Sequence, residues 1–132
     1  MTMATVSFMS WVSAEAAAKT ADIAVVAFIQ EWLGPSRMVM NQVLAIAPSA
    51  GAVVCLVDYD SEAERVHQLG ICASPCLMFY SKGRCLTVQR PEVDDANKYV
   101  GSITDTQLTS LLQQARECAV NGQIVIKAEA HL

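Results

Sequence analysis

Ile23-Ala24-Val25-Val26-Ala27-Phe28-Ile29 is an unbroken apolar run rich in β-branched residues, and Trp32-Leu33-Gly34-Pro35-Ser36-Arg37-Met38 follows almost at once. A run without polar alternation has no face to offer to water. It therefore predicts a central strand covered on both sides. Pro35 pre-sets the backbone angle of a first helical turn, where its missing N–H has no intrahelical partner to lose, so the loop is expected to open a helix. That helix is predicted to run to about Ala47, with Val39, Val43, Ile46 and Ala47 on one face and Pro48 and Gly51 ending it. A strand covered on both faces and feeding directly into a helix calls for a sheet with helices on each side.

The remaining segments extend this pattern. Ser10–Lys19, carrying Trp11 and Val12, predicts a first amphipathic helix. Ala14-Glu15-Ala16 has the form of a leader cleavage site, but no Lys or Arg precedes the apolar part and Ser and Thr interrupt it, so no leader is expected. Val53–Asp58 reads as a second buried strand. Ser61-Glu62-Ala63-Glu64 has the form of a capping box and predicts a short helix stopping at Gly70. Cys76–Ser81 and Cys85–Gln89 read as a hairpin across a tight Lys82-Gly83 turn. Thr104-Asp105-Thr106-Gln107 is a second capping box. Behind it Leu108, Leu111, Leu112, Ala115 and Cys118 or Ala119 share one stripe, which Asn121-Gly122 closes. The order α-β-α-β-α-β-β-α predicts an α/β domain over residues 1–122, with a central mixed sheet of about four to five strands flanked by helices on both faces. Residues 123–132 read as a C-terminal extension whose Ile124-Val125-Ile126 is expected to add an edge strand or to meet a partner.

Composition bounds the function. With 132 residues, 53% of them apolar, the chain suffices for one domain that buries roughly two thirds of its unfolded surface. A net charge of −4 leaves no broad cationic footprint, so strong unaided nucleic-acid binding is not expected. The apolar stretches are too short for a membrane span. Cys55, Cys72, Cys76, Cys85 and Cys118 are odd in number and contain no C-x-x-C pair, the usage of a reducing compartment.

Taken together, the loop, the element order and Ser74-Pro75 ahead of the hairpin strand resemble a thioredoxin fold. In redox thioredoxins the loop reads Trp-Cys-Gly-Pro-Cys-Lys-Met, and a cis-proline faces it. Here Leu33 occupies the place of the attacking thiolate and Ser36 that of the resolving thiol. Ala27 stands where those proteins bury a carboxylate, and Leu56 where they keep a lysine. Thiol–disulfide exchange requires an ionised sulfur, and none of these four groups supplies one. The resemblance implies a protein that is not an enzyme at this loop.

Within that fold the chain is most similar to the DIM family, the thioredoxin-like 4 proteins of the U4/U6·U5 tri-snRNP, over about Ala24 to Ile126. The likeness rests on Val25-Val26-Ala27-Phe28, Met38-Val39-Met40-Asn41-Gln42-Val43-Leu44, Leu56-Val57-Asp58, and Pro75-Cys76 followed by Met78-Phe79-Tyr80. It rests also on the polar loop Asp94–Ser102 and on Asn121–Ile126 beyond the last helix. The loop here keeps thioredoxin length and has no cysteine, and residues 1–8 lack the family's Leu-Pro segment. The resemblance implies a nuclear, non-catalytic component of the splicing machinery that docks on scaffold proteins, without cofactor or metal, and it leaves a homodimer open. Trp32, Leu33, Gly34, Pro35, Ser36, Arg37, Ser74, Pro75 and Cys76 are the expected partner-binding residues, since a helix start and the residues beside a cis-proline offer unpaired backbone groups to an extended peptide.

Two other readings stay open: an atypical thiol-disulfide oxidoreductase using Cys72 or Cys76, and a thioredoxin-like adaptor outside splicing. A zinc site would have to recruit His67 and Cys85 to Cys72 and Cys76 at irregular spacing, so buried or half-buried structural thiols are the expectation. His67 and the acidic residues Glu92, Asp94 and Asp95 are expected to be solvated, and His131 is expected in a mobile tail.

Overall fold

The computed structural model describes residues 7–91 and 93–128; Glu92 and His131 lie outside them. In chain order the elements are α1 (Trp11–Thr20), β1 (Ile23–Ile29), α2 (Gly34–Ile46), a 3-10 turn at Pro48–Ala50, β2 (Val53–Asp58), α3 (Ala63–Gln68) and β3 (Cys76–Ser81). They continue with β4 (Arg84–Cys85), β5 (Thr87–Arg90), β6 (Val93–Ala96), β7 (Tyr99–Val100), α4 (Asp105–Asn121) and β8 (Val125–Lys127). No helix among the described residues is long and apolar enough to cross a membrane.

β1 is buried along its whole length, as an apolar run must be. It pairs in parallel with β2 and antiparallel with β3. β4 and β7 both add to β3, making a mixed five-stranded sheet. Successive side chains of β1 point to opposite faces. Ile23, Val25, Ala27 and Ile29 pack with Val39 and Val43 of α2 and with Leu108, Leu111 and Leu112 of α4. Ala24, Val26 and Phe28 pack with Trp11, Ala14 and Ala18 of α1 and Val66 of α3. The Trp11 and Phe28 rings meet at 5.7 Å between centroids, tilted by 30°, a pairing worth about 0.5–1.5 kcal/mol beyond the buried area. The expected α/β architecture, with helices on both faces of a mixed sheet, is the one observed.

The caps of α4 form as the sequence predicts. Gln107 N–H donates to Thr104 Oγ1 at 3.1 Å, while Thr104 N–H donates to Gln107 Oε1 at 2.9 Å. At the other end Gly122 takes the left-handed conformation (φ 76°), which a side chain disfavours, and its N–H donates to Cys118 O.

Four local expectations need correction. Val12 does not share the buried face of α1 with Trp11; it is 66% exposed. Ser61 does not cap α3, because its N–H and Oγ both turn back onto the Asp58 carboxylate. The Glu62 carboxylate is diverted as well, accepting Trp11 N–H at 2.8 Å and so tying α1 to the start of α3. The hairpin partner of β3 is interrupted at Leu86, which is fully buried. Leu86 N–H still donates to Phe79 O, but Thr87 N–H donates to Ile124 O and the chain leaves β3 for a second sheet. That sheet has the order β6-β5-β8. Finally, the polar stretch at 94–102 is not a plain loop: it contains part of β6 and all of β7, which takes the place beside Cys76 and Leu77 that β5 vacates.

The apolar tail belongs to the same body. β8 pairs in parallel with β5, and Ile126 is fully buried in the core under α4. Gln114 of α4 holds the β8 backbone on its other side. Its Oε1 accepts Lys127 N–H and its Nε2 donates to Lys127 O, both at 2.8 Å.

Candidate functional site

The loop between β1 and α2 lies at the C-terminal ends of the parallel strands β1 and β2, where open α/β sheets leave a crevice for ligands. Its backbone turns tightly: Leu33 N–H donates to Gln30 O, and Arg37 N–H donates to Leu33 O. Leu33 is the N-cap of α2 and makes no side-chain cap bond. The first N–H groups of the helix therefore lack the acceptor that a Ser, Thr or Asp cap would bring.

A polar network joins the loop to its surroundings. Trp32 is 70% exposed, and its Nε1–H donates to Asp60 Oδ2 at 2.8 Å. Gln30 Nε2–H donates to the other oxygen of Asp60 at 2.9 Å. These two bonds, the Trp32 one first, hold the Asp60 carboxyl below its ordinary pKa. Ser74 Oγ–H donates to Gln30 Oε1. The Ser74–Pro75 bond is cis, and Pro75 O accepts Gly101 N–H from the turn after β7 at 2.9 Å. Side chains far apart in sequence thus brace the loop, the proline turn and the end of β2 against one another.

The expected partner-binding residues divide in two. Trp32, Pro35 and Arg37 are exposed, and Leu33, Gly34 and Ser74 are half-buried. Ser36, Pro75 and Cys76 are buried, so their side chains support the surface from below and do not form it. Ser36 is fully buried because its Oγ accepts Gln30 N–H at 2.8 Å, closing the loop across six residues. Gln30 and Asp60 were not singled out from the sequence. The pointer to both is their place just beyond the ends of the parallel strands.

The interior beneath is apolar. Ala27 and Leu56 are direct partners across the β1–β2 ladder, and both lie in the core cluster with Leu77. No ionisable group occupies either position to take or give a proton.

The thiols are dispersed. Cys72 is exposed, against the expectation of a buried or half-buried thiol, because it stands in the irregular segment before Ser74. Cys76 is fully buried in β3, and burial pushes its thiol up to about 12. Cys85 is half-buried, with Sγ 3.4 Å from Asn97 O, and burial raises it too. His67 is exposed on α3, and among the described residues no group of three His, Cys, Asp or Glu side chains is placed to hold a metal.

Comparison with known proteins agrees with this geometry. The thioredoxin family pattern matches residues 5–114. Among solved structures, a mutant thioredoxin from Halobacterium salinarum NRC-1 superposes with a TM-score of 0.67 at 19% identity, over 83% of this chain and 88% of that one. A chloroplastic thioredoxin z gives 0.68 at 18% identity over 89% and 99%. A Plasmodium falciparum thioredoxin gives 0.63 at 21% identity over 83% and 98%. No curated protein matches the sequence significantly. By the family pattern, which spans most of its length, and by its fold, this chain belongs to the thioredoxin family.

Proposed function

We propose that this protein performs no dithiol exchange at its thioredoxin loop and works by docking onto other proteins through Trp32–Met38 and the adjoining Ser74–Pro75 turn. The observation that carries the reading is the use made of position 36. A hydroxyl sits there, fully buried, holding a backbone N–H of its own loop. Leu33 beside it has no nucleophile, and the Ala27–Leu56 pair below has no proton acceptor. An exposed tryptophan at the mouth of such a loop is a recognition group.

The resemblance to the DIM family supplies the setting: a component of the tri-snRNP in the nucleus, attached to larger splicing scaffold proteins. In support, residues 94–102 build added strands and β8 continues the fold past α4. An insulin-reduction assay tests the chemistry; turnover comparable to a redox thioredoxin overturns it. Affinity purification with mass spectrometry tests the setting; companions without splicing proteins or small nuclear RNAs point to an adaptor outside splicing.

One observation favours the thiol reading, the exposure of Cys72. Its proposed companion Cys76 is buried and holds its proton to about 12, which removes it as an attacking thiolate near neutral pH. Thiol titration decides: ionisation of Cys72 well below about 8.5 favours an oxidoreductase.

A further inference from the structure

Trp32, Leu33, Pro35 and Met38 make an apolar strip along the loop and the first turns of α2. Trp32 and Met38 are 70% and 68% exposed. Carboxylates outnumber cations around this strip. Glu31 precedes Trp32, Asp58 and Asp60 close β2 beside it, and Glu62 and Glu64 lead into α3. Among the described residues none of these carboxylates forms an ion pair. Asp60 accepts only from the neutral donors of Trp32 and Gln30, and so keeps its full charge.

Four of the nine lysines and arginines lie at the other end of the sheet. Lys82 pairs with Asp22 at the start of β1, Lys19 lies against the Gly83 turn, Arg84 reaches Gly122 O, and Arg116 reaches Ala50 O. Toward the loop end the counter-charges are Arg37 and Arg65, and beside the proline turn Arg90 donates to Val100 O at 3.0 Å. Arg37 donates to the backbone carbonyl of Glu31 at 3.4 Å and not to its carboxylate. Burying an apolar strip inside an acidic rim favours a ligand that brings cations to the rim and repels one that brings phosphates.

We propose that the strip receives an extended segment of a partner protein with an apolar anchor flanked by lysine or arginine, the anchor on Trp32 and Met38 and the cations over Glu31 and Asp60. This rests on the docking reading and names the partner chemistry for the same surface. Exposed charge pairs are each worth a factor of about 1.5 to 5, so two flanking cations strengthen binding roughly two- to thirtyfold at low salt.

The test is selection of random displayed peptides on the full chain, subtracting every clone that the Trp32→Ala variant also retains. Recovered sequences are then remade with each flanking charge reversed, and binding is read across a salt series from about 50 to 300 mM. The expected result is enrichment of Lys and Arg beside an apolar residue, with binding that weakens as salt rises and also weakens in Glu31→Lys. Trp32-dependent sequences that are neutral or acidic overturn the cationic partner and leave docking standing. The absence of any Trp32-dependent sequence overturns the docking surface itself.

Discussion

Replacing Ser36 by alanine separates a structural hydroxyl from a recognition group. Ser36 is fully buried, and its Oγ accepts Gln30 N–H at 2.8 Å. Alanine removes the acceptor and leaves the donor in place, so the loss is that of an unmade bond, about 1–3 kcal/mol, rather than the smaller net value of a bond exchanged with water. Gln30 is only half-buried, and water reaching it reduces the penalty, which places the expected loss near 1–2 kcal/mol. With a urea dependence of about 1–3 kcal/mol per molar for a domain of this size, the unfolding midpoint falls by roughly 0.3–2 M at unchanged slope. Ser36→Cys falls in between, because a thiol is a weak acceptor. Peptides selected on the wild-type loop still bind folded Ser36→Ala, since the side chain does not reach the surface. The reasoning is refuted if Ser36→Ala unfolds at the wild-type urea concentration, or keeps its stability and loses peptide binding.

The Trp32–Asp60 bond gives a pH signature. Asp60 has a folded pKa lowered by its hydrogen bonds from Trp32 and Gln30, so its stabilisation is present above the unfolded value and is lost as pH falls through the folded one. The Trp32 indole N–H resonance should therefore titrate below the ordinary aspartate value and stay flat in Asp60→Ala; a midpoint at or above that value contradicts the assignment. Alkylation followed by mass spectrometry should label Cys72 first in the native protein, with Cys55, Cys76 and Cys118 labelled only on unfolding; early labelling of Cys76 contradicts its burial. The buried thiols, whose pKa values burial raises, favour the folded state fully below the unfolded thiol value. That contribution fades above about pH 8.5 and, for Cys76, is lost by about pH 12. Stability measured against pH should fall through this alkaline window, and a flat profile contradicts it. Gln114→Ala strips two hydrogen bonds from Lys127, at a cost of roughly 1–2 kcal/mol. Amide exchange at residues 125–128 should quicken by about tenfold, while exchange in β1 is little changed.

Regularity decided which parts of this fold were readable in advance. β1 has no polar residue to misplace, and its bounds follow from its ends; the reciprocal cap of α4 is local to Thr104 and Gln107. The break at Leu86 was hidden because Cys85–Gln89 alternates as a continuous strand would. Its cause lies some forty residues away, where Ile126 needs a buried strand to pair with. The site divides along the same line. Leu33 and Ser36 announce the missing thiols directly. The Trp32–Asp60–Gln30–Ser74 network does not, since its partners are 28 to 44 residues apart in sequence. Ser61 shows the opposite failure: a capping motif complete in sequence but outcompeted by the Asp58 carboxylate next to it.

The residues at the thioredoxin loop form a consistent set, which bears on the proposal that this loop performs no dithiol exchange. A serine in the first turn of α2 supplies an oxygen to Gln30 N–H, a bond that sulfur makes poorly. Ala27 and Leu56, paired across β1 and β2, fill an interior in which a carboxylate would stand without a partner, a burial that costs several kcal/mol or forces the acid to stay neutral. Introducing cysteines at 33 and 36 alone would therefore loosen the loop and still leave the second thiol without a proton acceptor. Introducing the acceptor alone would put a charge into the core. Ser36→Cys and a buried acid at position 27 are each uphill in stability, whereas the outer strip of Trp32, Pro35 and Met38 requires neither. The packing beneath the loop thus supports the proposed docking surface rather than the dithiol alternative.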